Sequence, residues 1–112
     1  MTPEKQRIAI AEFDAWHHIK KLEDGTLHGI LGPLRGWLPL PDYLRDLDAM
    51  HGAVARLDRE SQYDSDEGFT YQLARVVHQD PDKAGWNFYE LQEATATQRA
   101  EALLRTIRKW EE

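Results

Sequence analysis

Apolar positions along this chain change their period several times, and each change marks a boundary between elements. Near the start, Ile8, Ala9, Phe13 and Trp16 fall at the spacing of a helix with one buried stripe, which predicts a helix through about residue 15. Its first turn has the chemistry of a helix start. The Thr2 hydroxyl can accept from an orphan amide, Pro3 sits where a missing N–H costs nothing, and Glu4 faces the positive helix end.

Residues 17–22 and 27–31 flank Glu23-Asp24-Gly25-Thr26, and Asp-Gly readily supplies the positive φ of a tight turn, so a β-hairpin is expected. Residues 32–41 then hold Gly32, Pro33, Gly36, Pro39 and Pro41. That density of breakers argues against regular structure, and a loop is expected there although it carries Leu34, Trp37, Leu38 and Leu40.

From Asp42 to about Leu57, the positions Tyr43, Leu47, Met50, Val54 and Leu57 predict a second helix with one buried face. Ser65, followed by Asp66 and Glu67, introduces a third helix with Phe69, Leu73, Val76 and Val77 on its apolar side. Residues 79–85 read as a turn and the aromatic-rich residues 86–91 as a third strand. Thr95 and Gln98 have the spacing of a capping box, opening a last helix whose stripe is Ala100, Leu103, Leu104, Ile107 and Trp110. Arg105, Arg108 and Lys109 complement the negative end of that helix. The order α-β-β-α-α-β-α predicts one α+β domain over residues 1–112, a helix–sheet–helix sandwich with a three-stranded, mostly antiparallel sheet.

Composition supports a packed interior. With 112 residues, 41% of them hydrophobic, and 4 Trp, 4 Tyr and 3 Phe, the chain has enough large apolar groups for one core. There are 0 Cys, so disulfides, thiolate nucleophiles and thiolate zinc sites drop out together. The N-terminus lacks the apolar core of a secretion signal, and no run approaches the roughly 20 apolar residues needed to cross a bilayer, so a cytoplasmic location is expected.

The net charge of −6 is uneven: residues 42–67 hold eight acids against three bases. The rest is nearly balanced, so no region offers the positive charge that a phosphate backbone requires. A partner protein with a basic surface is the better expectation, and direct nucleic-acid or membrane binding is not expected.

Three stretches carry a family likeness: residues 1–12 (MTPEKQRIAIAE), 40–51 (LPDYLRDLDAMH) and 94–107 (ATATQRAEALLRTI). Together they resemble the phage ABA sandwich domain family, small proteins of bacteriophages and prophages. The resemblance implies the same layered architecture and a host bacterial cytoplasm as the workplace. It carries no catalytic residues that could be transferred to positions of this chain.

Candidate chemistry is sparse. Asp42, Asp46, Asp48 and His51 share the expected second helix, but a ligand set on one helix without partners elsewhere reads as a solvated acidic face. His17 and His18 should point to opposite faces of a strand, so at most one of them serves any given site, and His28 and His78 lack an evident partner. Gly-x-Ser-x-Gly, Walker-type and Gly-x-Gly-x-x-Gly sequences do not occur, so no enzyme activity, metal or cofactor is expected.

Arg and Trp dominate interface energetics, which singles out Arg35 and Trp37 in the breaker-rich segment. Trp37 has two readings, an anchor for a partner and a lid folded back to close the core. With the acidic helix start, the candidate binding set is Arg35, Trp37, Asp42, Tyr43 and Asp46. The functional expectation is a non-catalytic, phage-encoded accessory protein that binds a host protein, in its most concrete form an inhibitor of a bacterial anti-phage defence system. The alternative is a sponge that sequesters a small anionic ligand such as a defence cyclic nucleotide. Two free sheet edges would also allow a homodimer.

Overall fold

A computed structural model of the chain describes residues 1–31, 36–59, 69–78 and 92–111. In chain order these form α1 (Pro3–Phe13), β1 (Trp16–Lys21), β2 (Leu27–Leu31), β3 (Trp37–Pro39), α2 (Leu47–Ala55) running into a 3-10 turn (Arg56–Arg59), α3 (Phe69–His78) and α4 (Ala96–Thr106). The fold is α+β, with one three-stranded antiparallel sheet in the order β1-β2-β3.

Helix α4 is the centre of the domain and packs against α1, α2 and α3. Its capping box is complete: Thr95 Oγ1 accepts from the Gln98 amide at 3.1 Å, and Gln98 Oε1 accepts from the Thr95 amide at 2.9 Å. Ala100, Leu103, Leu104 and Ile107 enter the main core with Ile10, Trp16, Leu27, Met50 and Leu57. Ala102 faces the other way, into a second cluster with Leu73, Ala74 and Ala94. Phe69, Val76 and Val77 of α3 flank that cluster, as their spacing predicts. The Ser65 start signal lies outside the described residues, as do the expected turn at 79–85 and the expected strand at 86–91.

Helix α1 begins where expected, with Thr2 Oγ1 accepting from the Lys5 amide at 3.2 Å. Its buried line is Gln6, Ile10 and Ala11, while Ile8, Ala9 and Phe13 flank it half-buried against the core. The expected stripe is thus rotated by part of a turn, because the core pulls the helix in on Ile10. After Phe13 the chain reverses through Asp14 and Ala15, and Ala15 adopts a positive φ of 71°.

The hairpin forms as expected. Leu22 N–H donates to Thr26 O at 2.8 Å across a turn in which Gly25 takes φ 89°. Asp24 Oδ1 accepts from both the Thr26 amide, 3.0 Å, and the Thr26 hydroxyl, 2.6 Å. These bonds to the charged form, the hydroxyl's first, lower the Asp24 pKa below its ordinary 3.8.

The breaker-rich segment holds a strand where a loop is expected. In β3, Trp37 pairs with Ile30, Leu38 with Gly29 and Pro39 with His28. A proline lacks only the donor that an edge position leaves unused, so β3 tolerates Pro39 as an edge strand. Gly29 makes the pairing compact: a Cβ there would sit 3.2 Å from both Ile19 Cγ1 and Leu40 Cδ1. Ile19 and Leu40 therefore close over the glycine on the core side.

The second helix is shorter than its periodicity suggests. Asp46, not Asp42, caps it, accepting from the Asp48 amide at 3.0 Å and the Ala49 amide at 3.2 Å. Met50 and Ala53 face the core, while Leu47, expected on the buried face, lies in the first turn and is 42% exposed. Leu103→Ala should therefore cost about 2–5 kcal/mol and Leu47→Ala no more than about 0.5 kcal/mol, measured as shifts in the urea midpoint at constant m value.

Candidate functional site

The five residues of the candidate binding set fall into different environments. Arg35 lies outside the described residues. Trp37 is 49% exposed, the largest exposure among the big apolar side chains of the described chain. It shares a row across the sheet with its neighbour Ile30 and with His17 beyond, and the exposed Lys20 lies beside His28 on the same face. The core face is the opposite one, formed by Trp16, Leu27 and Gly29. Trp37 is therefore no lid on the core.

Asp42 sits between two guanidinium groups, 3.9 Å from Arg7 Nε and 3.8 Å from Arg45 Nε. Arg7 Nη2 also donates to the carbonyls of Leu40 and Pro41, at 3.2 and 3.4 Å, which fastens the chain after β3 onto α1. Asp46 remains on the surface as the α2 cap. Tyr43, expected at an interface, is instead 0% exposed and belongs to the core. Its phenol finds a partner inside, which is why a residue with a polar tip can be buried at that position.

That partner is Asp14, one residue past α1. Tyr43 O–H donates to Asp14 Oδ2 at 2.8 Å, and Arg56 Nε donates to Asp14 Oδ1 at 2.6 Å. One carboxylate thus ties the end of α1 to the turn before α2 and to the 3-10 turn after it. Burial, then the hydrogen bond to Asp14 and its negative charge, push the Tyr43 pKa far above the ordinary 10.0. Periodicity cannot reveal this junction, since the partners are 29 and 42 residues apart and none belongs to a motif. Its chemistry is structural, because the phenol has no access to solvent.

The histidines correct a second expectation. His17 and His18 do not point to opposite faces: both are exposed, and their rings meet edge to face with centroids 4.9 Å apart. A β-bulge is responsible. The register slips between His17 and Lys20, and His18 takes φ 51°, which breaks the alternation of side chains. Among the described residues no three His, Cys, Asp or Glu side chains gather closely enough to hold a metal ion.

Two clefts remain. One, about 280 Å³, lies between α1 and the end of α4 and is lined by Ala9, Glu12, Phe13, Ile107 and Lys109. The other, about 410 Å³, lies between α3 and the end of α4 and is lined by Gln72, Arg75, Arg105, Arg108 and Trp110. In the second, Arg105 Nε donates to Glu101 Oε2 at 2.9 Å and its guanidinium lies 5.3 Å from the Trp110 ring centre. The Arg75 guanidinium lies 5.9 Å from the centre of the Tyr71 ring. Arg105 and Arg108, readable in sequence only as groups complementing a helix end, converge here with Arg75 from another helix.

Among the described residues no helix is long and apolar enough to cross a membrane. Comparison of the chain with models of protein families, with curated proteins and with solved structures finds no match.

The Asp14 junction makes a prediction of sign as well as size. Tyr43→Phe should lower stability by about 1–3 kcal/mol at neutral pH, read by chemical denaturation, because Asp14 loses a bond to its charged form. In the folded protein Tyr43 stays neutral, so its contribution is complete below the ordinary tyrosine pKa of 10.0 and is lost as pH rises above it, when the unfolded chain ionises first. Stability of the wild type should fall more steeply above about pH 10 than that of Tyr43→Phe.

Proposed function

We propose that the chain is a non-catalytic binding protein that takes hold of a protein partner through the face of its sheet turned away from the core, with Trp37 as the anchor. The observation that carries this reading is the 49% exposure of Trp37 in a paired strand. A tryptophan fixed by backbone pairing loses little freedom on docking and offers a large apolar surface, the combination that makes it a frequent hot spot. Ile30 and Pro39, the strand neighbours of Trp37 and His28, extend that surface.

Charge favours a basic partner. Asp46 and Asp48 are exposed at the start of α2, and the whole chain carries −6. Attraction of that kind speeds encounter and selects among partners more than it tightens the final complex. With the resemblance to phage proteins as its context, the reading specifies a bacterial host protein as the target and inhibition of a defence protein as the consequence.

The test is affinity capture from a bacterial lysate with the wild type and Trp37→Ala, followed by titration of the recovered partner. Trp37→Ala should weaken that partner's binding by at least about tenfold, while its melting temperature stays within a few degrees of wild type because the ring fills no core space. Equal affinity for the two proteins would remove the sheet face from the proposal.

A further inference from the structure

The cleft between α3 and the end of α4 is a concentration of positive charge on a chain of net charge −6. Three guanidinium groups, those of Arg75, Arg105 and Arg108, line it with Gln72 and Trp110. Glu101 answers one of them, Arg105, and thereby holds that group against the Trp110 ring. Among the described residues neither Arg75 nor Arg108 has a carboxylate partner. Among the described residues three guanidinium groups thus share one carboxylate, and such a gathering of like charge favours an anion that joins it.

The backbone at Arg108 points the same way. Helix α4 ends in a Schellman motif, with Lys109 N–H donating to Leu104 O at 2.7 Å and Arg108 N–H to Arg105 O at 3.2 Å. The residue after the cap must then be left-handed, and Arg108 has φ 62°. Glycine fits that position without strain, whereas a side chain there costs about 1–2 kcal/mol. An arginine at a position suited to glycine places a guanidinium on the cleft that no glycine could supply.

From this arrangement we infer that the cleft is a binding site for a small phosphate ester carrying a flat ring, of the nucleoside monophosphate class. Arg75 and Arg108 take the phosphate, since guanidinium forks match its oxygens in paired hydrogen bonds. Trp110, backed by Arg105, offers an aromatic surface for the ring, and the Gln72 amide can both donate to and accept from a ring edge. The volume of about 410 Å³ falls within the range of small-ligand sites. A long polyanion is disfavoured, because beyond the cleft it would meet the acidic remainder of the protein. This site is independent of Trp37 and of the sheet.

The experiment is calorimetric titration of the full chain at low salt with adenosine monophosphate, adenosine, inorganic phosphate and a glutamate-rich peptide, paired with thermal melting. Adenosine monophosphate should bind more tightly than phosphate, adenosine and the peptide should bind least, and the nucleotide should raise the melting temperature by mass action. Arg75→Ala and Arg108→Gly should each weaken the nucleotide about tenfold or more, and Trp110→Ala should reduce its affinity to that of phosphate. Arg108→Gly serves as the control for folding, because relief of the left-handed strain keeps its melting temperature at or above that of the wild type. No nucleotide binding, binding unchanged in Arg75→Ala and Arg108→Gly, or tighter binding of phosphate, adenosine or the peptide would each overturn the assignment.

Discussion

A helix surrounded by other elements needs small side chains wherever a neighbouring backbone comes close, and α4 is arranged around that requirement. Ala96, Ala100 and Ala102 are buried on different sides of it, interleaved with Leu103 and Leu104. Ala102 admits α3 on one side, where Ala74 meets it, and Ala100 lies in the main core with α1 and α2 on the other. Interiors packed at crystal-like density leave no room for a larger residue at such contacts and gain dispersion energy from every close approach. Placement of the sheet follows from the same core: α1 packs on α4 and on β1, so the sheet lies with Trp16 and Leu27 inward and Trp37 outward.

Polar ties then fix what hydrophobic packing leaves free. Apolar contact is not directional, so it cannot by itself decide how far α1 runs or where the turn before α2 begins. Asp14 decides both by holding Tyr43 and Arg56 at once, and Arg7 adds bonds to the carbonyls of Leu40 and Pro41. Each tie joins segments far apart in sequence. The acidic segment around Asp42, which composition presents as a surface for a partner, is in part consumed by this work, since Arg7 and Arg45 both lie against Asp42.

What the chain discloses before folding is what depends on neighbours in sequence. Thr2 and Thr95 as caps, Asp24-Gly25 as a turn, and the stripes of α3 and α4 all rest on contacts within about four residues, and all are legible. Features set by distant partners are not. The strand at Trp37–Pro39 forms because β2 offers it an edge, against the local preference of a segment rich in proline and glycine. The burial of Tyr43 depends on Asp14, and the outward turn of Leu47 on Asp46 taking the cap one residue before it. Of the candidate site, Trp37 was legible by residue type alone, whereas the arginine cleft required knowing that α3 lies beside α4.

Backbone strain separates the parts of this molecule that packing accounts for from those it does not. Among the described residues, Ala15, His18 and Arg108 take positive φ without being glycine. At Ala15 the core supplies the account, because the reversal there brings Trp16 into it. His18 sits in a bulge, where the extra residue twists an edge strand and makes it a poorer template for another chain. Arg108 has neither excuse: its side chain is exposed, it leaves the core untouched, and the hydrogen bonds of the helix end would form as well with glycine. The interior therefore does not account for the strain at Arg108, whose side chain reaches only outward. The cleft shared with Arg75 and Trp110 is what it reaches.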